Sequence, residues 1–236
     1  MAGVTADVRT IKYWKSIGVK DSKLVTAKKR EKLSEVIKET AIRYIIREIT
    51  PETIDDKTFN LNEWEIIRVL ELAGELLDFT EISLQSIKCL YIDNWEISEK
   101  RFNERFNSLD DEIVLSKMNG KGVCLKMGLL KQIKIVPKHQ ADEKYIVVGA
   151  ASILAKTSSD EQLRIYREQY GDFGSGNPGD PKTRRFIWDN KNNNDVPIIR
   201  RSWQTYMNIV NLVDFSLDSF KKNTKTKRKY TKKPSK

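Results

Sequence analysis

Apolar residues recur at helical spacing through Leu61–Leu77, where Trp64, Ile67, Leu70, Leu72 and Leu76 are separated by acids, so this stretch predicts an amphipathic helix. A charged stretch from Thr26 to Lys38 places Leu33, Val36 and Ile37 at the same spacing and predicts a second helix, with Thr26 available as its cap. Between them Ile42 to Ile49 is rich in β-branched and aromatic residues and is closed by Pro51, the signature of a strand. Further strands are expected at Lys88–Asp93 and Gln132–Val136. Downstream, the pattern predicts a long helix from Ala141 to Tyr170, a short one over Pro181–Trp188 and a last one over Ser202–Leu212. Strands alternating with helices imply an α/β domain.

Charge changes this picture only at one end. The formal charge is +10, but nine Lys or Arg and no acid lie between Lys221 and Lys236, so the rest of the chain carries about +1, ten minus nine. A domain over residues 1–220 with a C-terminal helical part is therefore expected to continue into a basic tail at 221–236. That tail is too polar to order itself and is suited to polyanions through counterion release. A length of 236 residues is enough for a sizeable core. Two cysteines, Cys89 and Cys124, make no disulfide scaffold and match no zinc spacing, which predicts reduced thiols and a cytoplasmic setting. No apolar run approaches the ~20 residues of a membrane span, and Met1–Thr10 lacks the apolar stretch of a signal peptide.

Candidate chemistry sits at the ends of the later elements. In Lys88–Asp93, strand alternation puts Cys89, Tyr91 and Asp93 on one face, so a carboxylate ends a strand expected to be buried. Such an Asp needs a helix N-terminus, a cation or a metal as partner. It could also cap the helix expected to begin near Ser98. At roughly 100° per residue, Asp142, Gly149, Ser152 and Lys156 fall within an arc of about 80° on one continuous helix, which joins an acid, a gap, a hydroxyl and an amine. The small run Gly149-Ala150-Ala151 lets another backbone approach, while His139, the one histidine, reads as a loop residue. Gly174 to Pro181 is a turn-rich loop leading into a helix, and its N–H groups serve either as a phosphate cradle or simply as turns.

Taken in order, Gly18-Val19-Lys20-Asp21-Ser22-Lys23, the strand ending at Asp93, Ala141-Asp142-Glu143-Lys144-Tyr145, Ala151-Ser152-Ile153-Leu154-Ala155-Lys156, Gly174-Ser175-Gly176, Asp180-Pro181-Lys182-Thr183 and Arg200-Arg201-Ser202-Trp203-Gln204-Thr205 resemble ribonuclease HII of the archaeal type. The resemblance implies an α/β, RNase H-like mixed sheet flanked by helices, with C-terminal helices. It implies an endoribonuclease for the RNA strand of RNA–DNA hybrids, and for single ribonucleotides in DNA, working by two-metal-ion hydrolysis with Mg²⁺ or Mn²⁺. Asp93 and Asp142 would be its metal ligands and catalytic acids, while Lys23, Ser152, Lys156 and Asn177 would bind substrate. A monomer is expected, and a replication clamp is a partner the sequence itself does not show.

Two departures from the family pattern stand out. The family opens on a strand bearing Asp-Glu-Ala-Gly-Arg-Gly, which supplies its first two acids, and no residue here matches it; its place would lie before Met1, with Met1-Ala2-Gly3-Val4 resembling the middle of the next strand. Asp7, in Thr5-Ala6-Asp7-Val8, does not fit that motif, and Asn177 stands where the family carries a Tyr. The competing expectation is therefore an inactive hybrid-binding protein derived from ribonuclease HII.

Overall fold

The computed structural model describes residues 1–56, 58–77, 87, 89–108 and 133–212. The basic tail, Cys124 and Gln132 lie outside the described residues. The chain divides into two compact units, Met1–Arg164 and Ile165–Lys236.

The first unit begins with β1 (Ala2–Thr5), which pairs antiparallel with β2 (Arg43–Ile46) in the register Ala2 to Ile46 and Thr5 to Arg43. Between them run α1 (Val8–Ser16), a 3₁₀ turn at Ser22–Leu24 and α2 (Ala27–Thr40). Asp7 accepts the Thr10 N–H at 2.7 Å and so caps α1, a structural use for the acid that does not fit the family motif. Helix α2 begins where expected, although the Thr26 side chain makes no capping bond. The strand expected over Ile42–Ile49 is shorter, because Thr50 accepts the Thr53 N–H at 3.2 Å and opens α3 (Pro51–Asp55) with Pro51 in its first turn.

Helix α4 occupies Leu61–Leu77, as its periodicity predicts. One part of it packs Leu72 and Leu76 against Ile45. Close approach to β1 needs Gly3, where an added Cβ would lie 2.7 Å from a Leu76 methyl. Elsewhere on α4, Trp64, Ile66, Ile67 and Leu70 form a core with Ile92 and Phe102. A separate core joins Trp14, Val19, Leu33 and Ile37 to Ala150, Ile153 and Leu154.

The second strand pair is parallel: β3 (Cys89–Asp93) lies beside β4 (Lys134–Lys138), in the register Cys89 to Lys134 and Asp93 to Lys138. After β3 the chain turns sharply into α5 (Glu99–Ser108), and Ser98 accepts the Arg101 N–H at 3.1 Å. After β4, Gln140 adopts a left-handed conformation (φ 54°) and starts α6 (Ala141–Lys144). Tyr145 is extended (φ −121°, ψ 116°), and α7 (Ile146–Tyr170) follows. The single helix expected from Ala141 to Tyr170 is thus broken at Tyr145, whose ring packs on Tyr91 with centroids 4.3 Å apart.

In the second unit, α8 (Pro181–Asp189) and α9 (Gln204–Val210) enclose a small core of Ile187, Val196, Ile199 and Ile209. Arg201 donates to the carbonyls of Lys191 (3.2 Å) and Asn193 (2.7 Å) and to the Tyr206 hydroxyl (2.9 Å), fixing the link between the two helices. Among the described residues no helix is long and apolar enough to cross a membrane.

The turn after Asp93 rests on Glu96, which is 2% exposed. Its carboxylate accepts from Arg105 and from Asn62 at 3.0 Å, with Arg101 at 3.6 Å. Burial pushes its pKa up, but the Arg105 and Asn62 bonds outweigh this and hold it below the ordinary value. Glu96→Ala leaves Arg105 without its main counter-charge, and the expected cost is about 3 kcal/mol, or a Tm lower by about 6–12 °C in calorimetry. An unchanged Tm would show that the pair contributes nothing.

Candidate metal centre

Parallel neighbours end on the same side of a sheet, so β3 and β4 deliver their following residues to one edge. There, Asp93 accepts the Ala141 N–H at 3.0 Å through Oδ1, and the Asn94 N–H is held by the Lys138 carbonyl at 3.0 Å. The first bond ties the carboxylate of one strand to the helix that leaves the other. Asp93 is exposed, where alternation had led to the expectation of burial; the strand buries Ile92 and ends with Asp93 in the open. A helix N-terminus is its partner, one of the three that were expected.

Asp142, one residue beyond Ala141, is only 6% exposed. A third carboxylate lies beside it, that of Asp21, which is 4% exposed and accepts the Lys23 N–H at 3.0 Å. Gly149 makes this approach possible: a Cβ there would sit 3.1 Å from both the Lys20 carbonyl carbon and the Asp142 carbonyl oxygen. The gap expected at Gly149-Ala150-Ala151 is therefore filled by the backbone entering Asp21-Ser22-Lys23. Ser152 then donates to the Ser22 hydroxyl at 2.9 Å. Lys156, a turn further on, is exposed and pairs with Asp160 at 2.7 Å, which in turn meets Arg30 at 2.8 Å. Arg30 also donates to the Ser22 carbonyl at 2.8 Å, so it braces the Asp-Ser-Lys turn from behind.

The structure thus brings together Asp93, Asp142, Lys23 and Ser152, with Lys156 on the same helix as Ser152. It does so by a route different from the expected one, since the break at Tyr145 puts Asp142 on α6 and Gly149, Ser152 and Lys156 on α7. Asp21 was missed as an acid of the site; its signal was its place two residues before Lys23. Asn177 belongs to the second unit, where it is exposed and its Oδ1 accepts the Gly179 N–H at 2.8 Å. In the loop around it, the N–H groups of Gly174, Ser175 and Gly176 are bound by Asp172 (2.9 Å), Asp180 (2.7 Å) and Thr183 (3.0 Å). The phosphate-cradle alternative therefore gives way to the turn. His139 is exposed in the turn before α6, as a loop residue should be.

Electrostatics single out Asp142. Its burial raises its pKa, the charges of Asp93 and Asp21 raise it further, and Lys23 offsets part of the rise. Buried carboxylates that repel one another are compensated by a hard cation, and the all-oxygen donor set suits a divalent ion such as Mg²⁺ or Mn²⁺. Among the described residues, no three His, Cys, Asp or Glu converge closely enough to surround an ion, so these acids fit as part of a ligand set.

A folded-state pKa above the unfolded one means the folded chain holds that proton more tightly. The contribution is fully present below the ordinary Asp range and is lost as pH rises through the raised value. Asp142→Asn removes the repulsion, so the metal-free variant should melt above the parent at pH 7, by about 2–4 °C per kcal/mol relieved, with the difference shrinking toward pH 3. Mn²⁺ should raise the Tm of the parent only. Equal melting of the two proteins at pH 7 would contradict this electrostatic account.

The family model for ribonuclease HII matches residues 1–206. A ribonuclease HII from Thermococcus sibiricus is 35% identical over 211 residues, covering 89% of this chain and 83% of that protein. The crystal structure of ribonuclease H2 from Pyrococcus horikoshii superposes with a TM-score of 0.67 at 26% identity, covering 94% of this chain and 99% of that one. The ribonuclease HII in a PCNA complex from Archaeoglobus fulgidus gives a TM-score of 0.66 at 25% identity, covering 93% and 90%.

Proposed function

The chain belongs to the ribonuclease HII family, and from that premise we propose that it hydrolyses the RNA strand of RNA–DNA hybrids at the Asp93–Asp142 edge. The family is one of metal-dependent hydrolytic nucleases, and the relatives named above are ribonucleases, so the expectation of an inactive binding protein gains no support. The observation that carries the reading is the burial of Asp142 beside Asp93 and Asp21, an anionic cluster that Lys23 offsets only in part, with the Ser152 hydroxyl nearby.

In this reading Asp93 and Asp142 hold Mg²⁺ or Mn²⁺, and Asp93 is kept in place by the Ala141 N–H. When bound, the ion supplies Lewis acidity at the scissile phosphate. Lys23 and Lys156 attract the flanking phosphates, and Ser152 turns its hydroxyl from Ser22 to a phosphate oxygen. Lys156 arrives already extended by its pair with Asp160. Asn177 contacts the sugar of the substrate, with a carboxamide in place of the family's ring. Selection for RNA rests on the 2′-hydroxyl, the group DNA lacks. Single ribonucleotides within DNA are substrates on the same ground. The protein acts as a cytoplasmic monomer, and the PCNA complex of the Archaeoglobus relative supports a sliding clamp as a further partner.

The test is cleavage of an RNA–DNA hybrid and of a duplex holding one ribonucleotide, with Mg²⁺ or Mn²⁺. Asp142→Asn should cut about 10²–10³-fold more slowly, the loss expected when one preorganised charge partner is removed. Equal cutting by the variant, or no cutting by the parent, would overturn the reading.

A further inference from the structure

Charge is distributed along the chain more unevenly than its total suggests. Between Arg9 and Lys32 there are nine Lys or Arg against two acids, Asp21 and Glu31, a net charge of +7. With the +9 of the tail set aside as well, the rest of the chain carries −6, ten minus nine minus seven. Eight of the nine cations in that stretch are exposed, and the ninth, Arg30, is buried. Of its two acids, Asp21 is buried in the carboxylate cluster, which leaves Glu31 at the surface. None of the eight exposed cations forms an ion pair among the described residues. This separates them from Lys38, Lys100, Lys138 and Lys182, each of which has a carboxylate partner.

The fold keeps these charges next to one another. Arg9, Lys12 and Lys15 lie three residues apart and follow one side of α1, and Lys28 and Lys32, four apart, do the same at the start of α2. The turn between the helices carries Lys20 and Lys23 and is held to both of them. Its Gly18 and Val19 N–H groups donate to the carbonyls of Lys15 (3.2 Å) and Trp14 (2.9 Å), and Arg30 of α2 donates to those of Ser22 (2.8 Å) and Val25 (3.1 Å). A Cβ at Gly18 would lie 3.0 Å from the Lys29 ammonium nitrogen, so α2 begins folded back onto the turn that ends α1. Lys23 then brings the charged face to the metal edge, where it acts on Asp142.

We propose that α1, the turn after it and the start of α2 form a docking face for the phosphate backbone of a nucleic-acid duplex, which carries the duplex past the Asp93–Asp142 edge without reading base or sugar. Partner chemistry follows from the charges. Protein interfaces are depleted in Lys, and unpaired ammonium groups are costly to bury against a dry partner. A phosphate backbone takes the same groups as point charges and gains from the counterions released. Double-stranded DNA carries one charge per about 1.7 Å, so eight cations match about 14 Å of duplex, or about four base pairs. The inference rests on the proposed function for the position of the cut, but duplex binding itself needs neither a metal nor a ribonucleotide.

The probe is a fluorescein-labelled all-DNA duplex of about twenty base pairs, followed by anisotropy as the full chain is added in EDTA between about 50 and 200 mM salt. Lys12→Gln, Lys15→Gln, Lys28→Gln and Lys32→Gln are combined in one variant; all four positions are exposed, so the fold is expected to hold. The slope of log affinity against log salt should fall by about 3.6, four phosphate contacts at about 0.9 each, with affinity at least about tenfold weaker. A control that removes four charges elsewhere, Lys38→Gln, Lys100→Gln, Lys134→Gln and Arg185→Gln, should keep a slope within about one contact of the parent's. The tail at 221–236 is the same in all three chains and cancels in the comparison. An unchanged slope in the first variant, or an equal fall in the control, overturns the proposal. So does displacement of the duplex by polyglutamate at equal charge, which assigns the face to an acidic protein. Hybrid cleavage measured in parallel separates the two claims: a parent that binds the DNA duplex but cuts no hybrid sinks the proposed function and leaves this face standing.

Discussion

The parallel pairing of β3 with β4 is the constraint on which the candidate site depends. Two strands running the same way must release their chains at the same edge, so Asp93 and the turn leading to Asp142 meet there. The Asp93–Ala141 bond then fixes the meeting, because a helix N–H that needs an acceptor finds the carboxylate of the neighbouring strand. Loss of the register by one residue would turn Asp93 to the other face and dissolve the cluster.

Everything else at the site refines that edge. Gly149 lets the Lys20 backbone come closer than a side chain there would readily allow, which accompanies the placing of Asp21 beside Asp142 and of Ser22 at Ser152. Arg30 ties the same turn to Asp160, which also holds Lys156. Two buried acids side by side destabilise the metal-free fold, which is what supports the proposed cation at this edge. The same edge borders an apolar space lined by β1 and β3, and Asp93 and Asp142 line it too.

Much of this was legible in the sequence, and the misses have local causes. Helix α4 was read correctly because seventeen residues of periodic apolar spacing outweigh any single contact. The break at Tyr145 was not legible, since Glu143-Lys144-Tyr145-Ile146 holds no Gly or Pro; the packing of Tyr145 on Tyr91, a partner more than fifty residues away, accompanies it. Burial of Asp93 was inferred from alternation, which holds along a strand but not at its last residue, where the chain emerges. Asp93, Asp142, Lys23 and Ser152 were named as candidates through ordered motifs and lie together in the structure, whereas Asp21 sat unread inside one of them, because spacing shows which residues are near in sequence and not which carboxylates will be buried together.

The central claim is that the Asp93–Asp142 edge holds a divalent ion. An electron paramagnetic resonance titration of Mn²⁺ tests it without requiring turnover. The account predicts that Mn²⁺ loses its free-ion signal as the parent chain is added and that Asp93→Asn abolishes this loss at the same concentrations. Undiminished Mn²⁺ binding by Asp93→Asn would contradict it.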